Sequence, residues 1–404
     1  MNVQVPDGLA PELAEVYRQA AEKNVLASLN PEIFFGYFSV CADGHGHGGN
    51  TTFPGLDWGQ TAEALLWLGR QQEVLASWEY VKGFLSPEGL LPFAIIPNSA
   101  GKTTTWSDDR NQYTLAVAAN GAVFKHWVPG DPLRTLADIT AIILLDKIFN
   151  STKDKSWLMQ QADILLALTG WLGEQVSAEG LVKGAGFYLE RPTRLEYDGV
   201  TQCYAAHAFG VAASLFQKLD NLSAAKQCEA TGKRIIDCFR KNFWAGDHCI
   251  EYIHPERGAV SCHGLTDVDW AAIATGAASS EQTAILWPQL KDNPDFIYSG
   301  MPGGIATRPE TYEDWEMHYV DRHDLAAMGR VWYLECWARH RMGDREGIHR
   351  SMLKVAQIGN RNDWYWRERY YSEKTGELAR EPMNKYCEYP ANLIRIVHNF
   401  LLDK

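Results

Sequence analysis

The spacing of apolar residues predicts helix along most of the chain. Between 131 and 149 the apolar side chains recur mainly at three- and four-residue steps, and the segment 155–173 repeats this period, which is typical of amphipathic helices. Few segments alternate apolar and polar residues as strands do. We therefore expect an all-α protein with helices near 9–28, 58–84, 109–127, 131–149, 155–173, 199–219, 221–243, 266–277, 280–291, 320–342, 344–358 and 388–402.

The connections between these helices fall into two kinds. Pro129-Gly130, Asp220-Asn221 and Gly343-Asp344 are too short for anything but antiparallel helical hairpins. The others are long, rich in Gly, Pro and aromatic residues, and span 29–57, 85–108, 174–198, 244–265, 292–319 and 359–387. This alternation predicts a closed (α/α)6 toroid with the long loops around a cavity at one end. No strict repeat indicates an open solenoid, and no linker divides residues 1–404, so we expect a single catalytic domain.

Composition narrows the class of partner and the compartment. A formal charge of −12 in 404 residues argues against a nucleic-acid partner, which requires clustered Lys and Arg. No segment reaches the length of a membrane span, and the N-terminus lacks the basic start and apolar stretch of a secretory signal. Eight cysteines without a CxxC pair indicate reduced core thiols. These features favour a cytoplasmic protein; the oligomeric state stays open.

Aromatic residues are unusually frequent and concentrate in the long loops. The chain has 15 Trp, 17 Tyr and 15 Phe, 12% of all residues. A sugar stacks its apolar face on such rings while its hydroxyls bind charged groups, so the loops predict a carbohydrate site. Five aromatics between Trp364 and Tyr371 lie in a polar loop, where they cannot all face inward. The candidate sugar-binding residues with a ring or a polar head are Trp58, Trp106, Arg110, Trp270, Trp315, His318 and Trp366.

Glycosidic bond cleavage normally requires two carboxyl groups, one as acid and one as base or nucleophile. Glu368 is the strongest candidate, because Arg367 and Arg369 flank it and would keep it ionised and oriented as a base. Asp198 directly precedes a predicted helix, where it has equal weight as an N-cap. The same ambiguity applies to four further acids at predicted helix starts: Asp57, Asp109, Asp269 and Glu388.

Other chemistries lack their signatures. The sequence contains no nucleophile elbow, phosphate-binding loop or zinc-protease motif, and its glycines at 44–49 do not form a dinucleotide fingerprint. Cys41, His45 and His47 are spaced too loosely to predict a metal centre. We expect neither a cofactor nor a metal.

The order of several short motifs resembles the six-hairpin glycosidase superfamily, and within it the catalytic domain of bacterial α-L-rhamnosidases. The motifs are GLDWGQ at 55–60, PEGLLP at 87–92, WSDD at 106–109, TDVD at 266–269 and WRERYYSEKTG at 366–376. The resemblance runs from about residue 50 to the C-terminus. It implies an inverting hydrolase with Glu368 as general base.

The chain departs from that family where the general acid is expected. The stretch 48–55, GGNTTFPG, contains no acid, so the acid must come from another loop. Asp198 is the first choice, by analogy with trehalase-like relatives, and Asp109 is the second. We also expect no accessory β-domain of the kind that rhamnosidases have within residues 1–404, so the resemblance does not carry over rhamnose specificity.

These observations predict an exo-acting glycoside hydrolase for a short oligosaccharide or small glycoside, since a closed toroid forms a pocket. An unsaturated uronyl hydrolase or a polysaccharide lyase on the same fold is an alternative. A sugar epimerase using His318 and His323, or a non-catalytic sugar-binding toroid, also stays open.

Overall fold

The computed structural model describes residues 3–29, 38, 40–42, 57–92, 94–96, 113–117, 123–127, 135–184, 197–317, 322, 324–375 and 382–402. The helices in these ranges are α1 Pro11–Gln19, α2 Asp57–Trp67, α3 Gln71–Lys82, α4 Leu136–Thr152, α5 Lys155–Gln160, α6 Ala162–Glu174, α7 Gly199–Lys218, α8 Leu222–Asn242, α9 Asp267–Thr275, α10 Ser280–Leu290, α11 Gly329–Arg341, α12 Arg345–Arg361 and α13 Glu388–Ile396. Two π-helical segments, Ala20–Val25 and Val397–Leu401, continue α1 and α13. The strands are β1 Ala94–Ile96, β2 Tyr113–Val117, β3 Val123–Trp127, β4 Tyr197–Asp198, β5 Tyr252–His254, β6 Gly258–Val260, β7 Ala326–Ala327 and β8 Tyr370–Tyr371.

Six inner helices form a closed ring. In the order α2, α4, α7, α9, α11 and α13, each helix packs against the next, and α13 packs against α2. These helices are buried nearly all round, as in α9, where eight of the nine residues are buried. A helix without a polar face must be covered on all sides by other elements, and ring closure supplies that cover.

An outer layer of amphipathic helices surrounds the ring. The outer helices α3, α6, α8, α10 and α12 each pack against the inner helix that precedes them in the chain. Helix α1 covers α12 and α13, so the sixth hairpin is formed by the two ends of the chain. The predicted (α/α)6 toroid is confirmed.

Among the described residues, the long connections begin and end at one end of the toroid. The inner helices α2, α4, α7, α9 and α11 each lead into an outer helix through a short connection, and each outer helix is followed by a long connection to the next inner N-terminus. Asp220, with φ 59°, and Gly343, with φ 72°, form two of the short turns at the positions predicted. The Pro129-Gly130 turn lies outside the described residues.

Small sheets join the long connections to one another. Strands β4, β5 and β6 link the connection before α7 to the connection before α9. Strands β7 and β8 link the connection before α11 to that before α13, with Ala326 opposite Tyr371. The loop end is therefore a connected layer.

Four predicted helices differ from the structure: 109–127 is wrong, and 58–84, 155–173 and 320–342 are wrong in part. The segment 155–173 is divided into α5 and α6 at Gln161. The segment 109–127 contains β2 and β3, which pair antiparallel with Val117 opposite Val123. Its β-branched and aromatic residues and the Asn120-Gly121 pair are the sequence signal of a β-hairpin. The predicted helix 58–84 is two helices separated at Gly69, whose φ of +74° a helix interior excludes, and the predicted helix 320–342 begins only at Gly329.

The prediction of reduced core thiols is confirmed for seven of the eight cysteines. None of the eight forms a disulfide, and all but Cys262, which is exposed, are buried. In the part of the chain that is described, no helix combines the length and apolar character needed to cross a bilayer.

A substitution at Gly329 tests how closely the inner helices α11 and α13 pack. A Cβ atom there would lie 2.8 Å from the Tyr389 backbone nitrogen and 2.9 Å from the Glu388 carbonyl carbon, so α11 and α13 would have to separate. Gly329→Ala is expected to lower the free energy of unfolding by about 1–3 kcal/mol, measured by urea denaturation. Gly170→Ala is the matched control: a Cβ at that helical position meets nothing within 4 Å, and it should not destabilise. An equal response of the two variants would contradict this packing.

Candidate active site

The N-termini of the inner helices all face the long connections. Asp198 caps α7, Thr266 and Asp269 form a capping box on α9, and Glu388 is the first residue of α13. Asp57 likewise begins α2, although its side chain is not among the described groups. Because the positive ends of these helix dipoles point the same way, this end of the toroid favours carboxylates and polar ligands.

Glu368 lies in this layer, two residues before the start of β8. Its side chain is 13% exposed, and its Oε1 lies 3.3 Å from Nε of Arg369. The Arg369 guanidinium is buried and makes a second ion pair of 2.6 Å with the buried carboxylate of Asp324. The backbone N–H of Glu368 donates to the carbonyl of Met383. Glu368 is thus a solvent-reaching carboxylate whose position is fixed by a buried ion pair.

Asp198 is a buried N-cap. Its Oδ2 accepts hydrogen bonds from the Thr201 backbone N–H at 2.7 Å and the Thr201 hydroxyl at 2.8 Å. The next residue, Gly199, has no room for a side chain, because a Cβ would lie 2.6 Å from Val268 of α9. The sequence reasoning anticipated the cap, and the cap places the carboxyl at the loop end of α7.

Glu388 connects two neighbouring inner N-termini. Its Oε1 accepts from the backbone N–H and from Nε of Arg330, at 2.7 and 2.5 Å. Its Oε2 is buried and has no hydrogen-bond partner among the residues that the structure describes. The carboxylate therefore holds α13 to α11 and retains one acceptor oxygen.

The hydrogen bonds of Asp269 have a structural role. Its two oxygens accept from the backbone N–H groups of Cys249 and Thr266, each at 2.7 Å. Burial raises the pKa of this carboxyl to about 6, because the hydrogen bonds only partly offset desolvation. These bonds tie the start of α9 to the preceding connection.

Three of the candidate tryptophans are in the core. Trp58 and Trp366 are buried and donate their indole N–H groups to Ser77 Oγ and the Val355 carbonyl. Trp270 is 1% exposed and packs against Phe296. These three rings therefore pack against other side chains in the protein interior. Trp315 is exposed at its edge, and the Arg257 guanidinium covers its ring at 3.8 Å.

The aromatic run from Trp364 to Tyr371 divides between core and surface layer. Trp366 and Tyr370 are buried, whereas Trp364, Tyr365 and Tyr371 are not fully buried. Tyr365 lies between two lysine ammonium groups, Lys23 at 4.9 Å and Lys385 at 5.0 Å. The run thus anchors the last long connection and leaves a few rings near its surface.

Trp106, Asp109, Arg110, His318 and His323 lie outside the described residues.

Sequence reasoning missed a buried acid network beside Asp198. The Tyr312 hydroxyl donates to both oxygens of Glu251 at 2.9 Å, and the Glu251 carbonyl accepts from the Gly199 N–H next to the pairing of β4 with β5. His263 lies 3.0 Å from Glu316 and 3.8 Å from Glu251. Hydrogen bonds from His263 and Tyr252 hold the pKa of Glu316 below its usual value against the effect of burial. The pair Tyr312–Glu251 joins residues 61 positions apart, and the pair Tyr252–Glu316 joins residues 64 positions apart. No short sequence motif could therefore predict them.

Comparison with known proteins identifies the fold through structure alone. No family model and no curated protein sequence matches the chain. A GH78 family rhamnosidase of Bacillus sp. GL1 superimposes with a TM-score of 0.66 at 12% identity, covering 98% of this chain and 36% of that one. A rhamnosidase from Klebsiella oxytoca with rhamnose bound gives 0.64 at 11% identity, covering 100% and 66%. A GH63 mannosylglycerate hydrolase from Thermus thermophilus in complex with glucose gives 0.61 at 11% identity, covering 95% and 99%.

These likenesses show that the chain shares the helical toroid of these proteins, the fold that the sequence motifs predicted. The chain spans about a third of the length of the Bacillus rhamnosidase, at 36%, and nearly all of the Thermus hydrolase, at 99%. At this level of identity the shared property is the toroid.

The Arg369–Asp324 pair can be tested by removing one charge. Asp324→Asn leaves a buried guanidinium without its closest counter-ion and is expected to cost about 3 kcal/mol of unfolding free energy, measured by denaturant titration. Asp295→Asn is the matched control, because its 2.8 Å pair with Lys374 is half exposed and should cost less than about 1 kcal/mol. Similar losses in the two variants would show that Arg369 does not depend on Asp324.

Proposed function

We propose that the protein is an inverting glycoside hydrolase with Glu368 as general base. The observation that carries this proposal is the position of Glu368, a carboxylate open to solvent on one side and held by Arg369 on the other, at the end of the toroid where the inner N-termini converge. The structural neighbours named above are glycoside hydrolases by name, which supports the same reaction class.

In the proposed mechanism Glu368 accepts a proton from a water molecule as the water oxygen attacks the anomeric carbon. The glycosidic C–O bond breaks at the same time, and a general acid delivers its proton to the leaving oxygen. The configuration at the anomeric carbon is thereby inverted. The role of Arg369 is to keep the Glu368 carboxylate in one orientation, because a base acts only within hydrogen-bond reach of the proton that it removes.

We assign the acid to Asp198. It lies at the loop end of α7, beside the strand pairing that joins two of the long connections. Inversion requires the two carboxyl groups to lie roughly 6.5–9.5 Å apart, leaving room for the water. Asp109 is the second choice for this role.

The substrate class that fits best is a short oligosaccharide or a small glycoside, cleaved at a chain end. We infer a pocket at the end of the toroid where the inner N-termini converge, and a pocket favours a terminal sugar. The Thermus neighbour, which the toroid matches almost from end to end, is named as a hydrolase of mannosylglycerate, itself a small glycoside.

Glu368→Gln tests the base. The amide keeps the shape of the side chain but cannot accept the proton, so kcat should fall by about 10²–10⁴-fold on the glycoside that the wild type cleaves best in a panel of aryl glycosides and oligosaccharides. Glu373→Gln, an exposed change in the same connection, should retain activity. Proton NMR of the first-formed product should show the anomer opposite to that of the substrate.

Two results would contradict the assignment. A retained anomeric configuration would exclude the single-displacement mechanism. Turnover of an unsaturated uronide without cleavage of any saturated glycoside would point to the uronyl hydrolase alternative, and a product absorbing in the near ultraviolet would point to a lyase.

The variant Asp198→Asn distinguishes the proposed role of Asp198 as general acid from its role as the N-cap of α7. Asparagine still accepts from the Thr201 N–H and caps helices as well as aspartate, so stability should be kept while hydrolysis of substrates with poor leaving groups falls about 10²–10⁴-fold. The leaving group of a dinitrophenyl glycoside needs no protonation, so the rate of hydrolysis of this substrate should not fall. Asp154→Asn, at the N-cap of α5 near a short turn, is the matched control and should leave both rates unchanged. Equal losses on both substrate types in Asp198→Asn would remove Asp198 from the acid role.

A further inference from the structure

The chain turns sharply after α12 through two residues with left-handed backbone. Asp363 has a φ of 53° and Trp364 has a φ of 61°. Residues with a side chain seldom adopt this conformation, and bulky aromatic residues least of all. Such a backbone persists only where the surrounding structure holds it in place. The turn begins the last long connection, which carries Glu368, so the contacts that hold the turn bear on the proposed base.

Two consecutive residues near the N-terminus hold this turn. The Lys23 ammonium donates to the Asp363 carbonyl at 2.8 Å and lies 2.9 Å from the Asp363 carboxylate. The Asn24 side-chain amide donates to the Trp364 carbonyl at 2.9 Å and to the Gln19 carbonyl at 3.1 Å. Both carbonyls of the turn are therefore bound by side chains that lie 340 positions away in the sequence.

The local geometry of this N-terminal segment directs the two side chains. Lys23 and Asn24 lie in the π-helical segment Ala20–Val25, which continues α1. A π-helical turn contains more residues than an α-helical turn, so its side chains point in directions that a regular continuation of α1 would not give. Such turns are rare and frequently occur at functional sites. Here the π-helical segment brings both side chains to the start of the connection 359–387.

Asn24 also contacts the other end of this connection. Its backbone carbonyl accepts a hydrogen bond from the thiol of Cys387, with 3.6 Å between sulfur and oxygen. Cys387 directly precedes α13. One buried residue therefore joins Trp364, near the start of the connection, to Cys387 at its end. We call the contact of these three residues the Asn24 clip.

Glu368 projects from a paired stem that the Asn24 clip encloses. The N–H of Tyr386 donates to the Trp366 carbonyl, and the N–H of Glu368 donates to the Met383 carbonyl, both at 2.8 Å. The two arms of the connection thus lie side by side, and the Glu368 backbone is part of the second hydrogen bond from the clip. The Trp366 ring is buried and donates its indole N–H to Val355 of α12, which fixes the first arm against the toroid.

We propose that Asn24 is a positioning residue for the general base. By holding both ends of the last long connection, the Asn24 clip restricts the stem and with it the direction in which the Glu368 carboxylate projects. Asn24 is 0% exposed, so it acts through the backbone of the connection and not by contact with substrate. This inference rests on the proposed role of Glu368 and extends the support of the base to the opposite end of the chain.

Hydrogen exchange of the full chain, measured by mass spectrometry, tests the clip without a substrate. In Asn24→Ala the amides of residues 366–370 should exchange about tenfold faster, because the Trp364 carbonyl loses its buried donor. Tyr17→Phe is the matched control. Tyr17 is a buried residue of α1 whose hydroxyl bonds to His398 at 2.8 Å, so this variant loses one hydrogen bond of the same N-terminal helix and should leave exchange at 366–370 unchanged.

Lys23→Gln provides a second variant that remains decisive if Asn24→Ala does not fold. The Lys23 side chain is 33% exposed, and glutamine cannot form the ion pair with Asp363, so exchange at 366–370 should become about threefold faster. Thermal unfolding verifies that each variant is folded.

Kinetics distinguish a positioning role from a purely structural one. A displaced base slows every substrate, whereas a missing acid slows only those with poor leaving groups. In Asn24→Ala, kcat should therefore fall about tenfold on poor leaving groups and on dinitrophenyl glycosides alike, with KM changed less than about twofold. Tyr17→Phe should retain both rates.

Two results would overturn the inference. One is exchange at 366–370 that is no faster in Asn24→Ala, or in Lys23→Gln, than in Tyr17→Phe. The other is faster exchange with an unchanged kcat. Retained activity in Glu368→Gln would instead contradict the proposed base itself, and the exchange data distinguish that failure from a failure of the clip.

Discussion

Glu63 joins the first, second and last inner helices from inside the ring. Its carboxylate binds Arg395 of α13 at 2.6 Å, Lys147 of α4 at 2.8 Å and Asn399 beyond α13 at 2.9 Å. Burial alone would raise its pKa, but Arg395 and Lys147 hold it well below the usual range. Arg395 also lies 3.7 Å above the ring of Tyr333 in α11. Four of the six inner helices therefore share one charge cluster at the seam where the chain ends meet.

Closure at this seam determines where chemistry can occur. Because the inner helices are parallel, the described parts of the long connections lie at their N-terminal end. The pairing of β7 with β8 places Asp324 beside Arg369 and so positions Glu368. The proposed active site thus follows from the closure of the ring.

Local signals in the sequence predicted the structure well where the interaction is local. The cap of α7 by Asp198 involves residues three apart, and the turns at Asp220 and Gly343 follow from short connections between periodic segments. The prediction of a helix at 109–127 is wrong because β-branched and aromatic residues on either side of an Asn-Gly pair favour a β-hairpin over a helix. The prediction for the tryptophans failed for another reason: Trp58 and Trp366 lie next to polar residues in sequence, yet their rings are buried against the adjoining helices α3 and α12.

By itself the sequence determined the all-α class, the alternation of short and long connections and the family of folds, because helical period and chain reversal depend on neighbouring residues. Only the tertiary structure decided which charges meet. Glu63 and Arg395 are 332 residues apart, and Arg369 and Asp324 are 45 apart. Such pairs are created by ring closure, and the free energy of burying a charge is offset only by a partner that the fold brings to it.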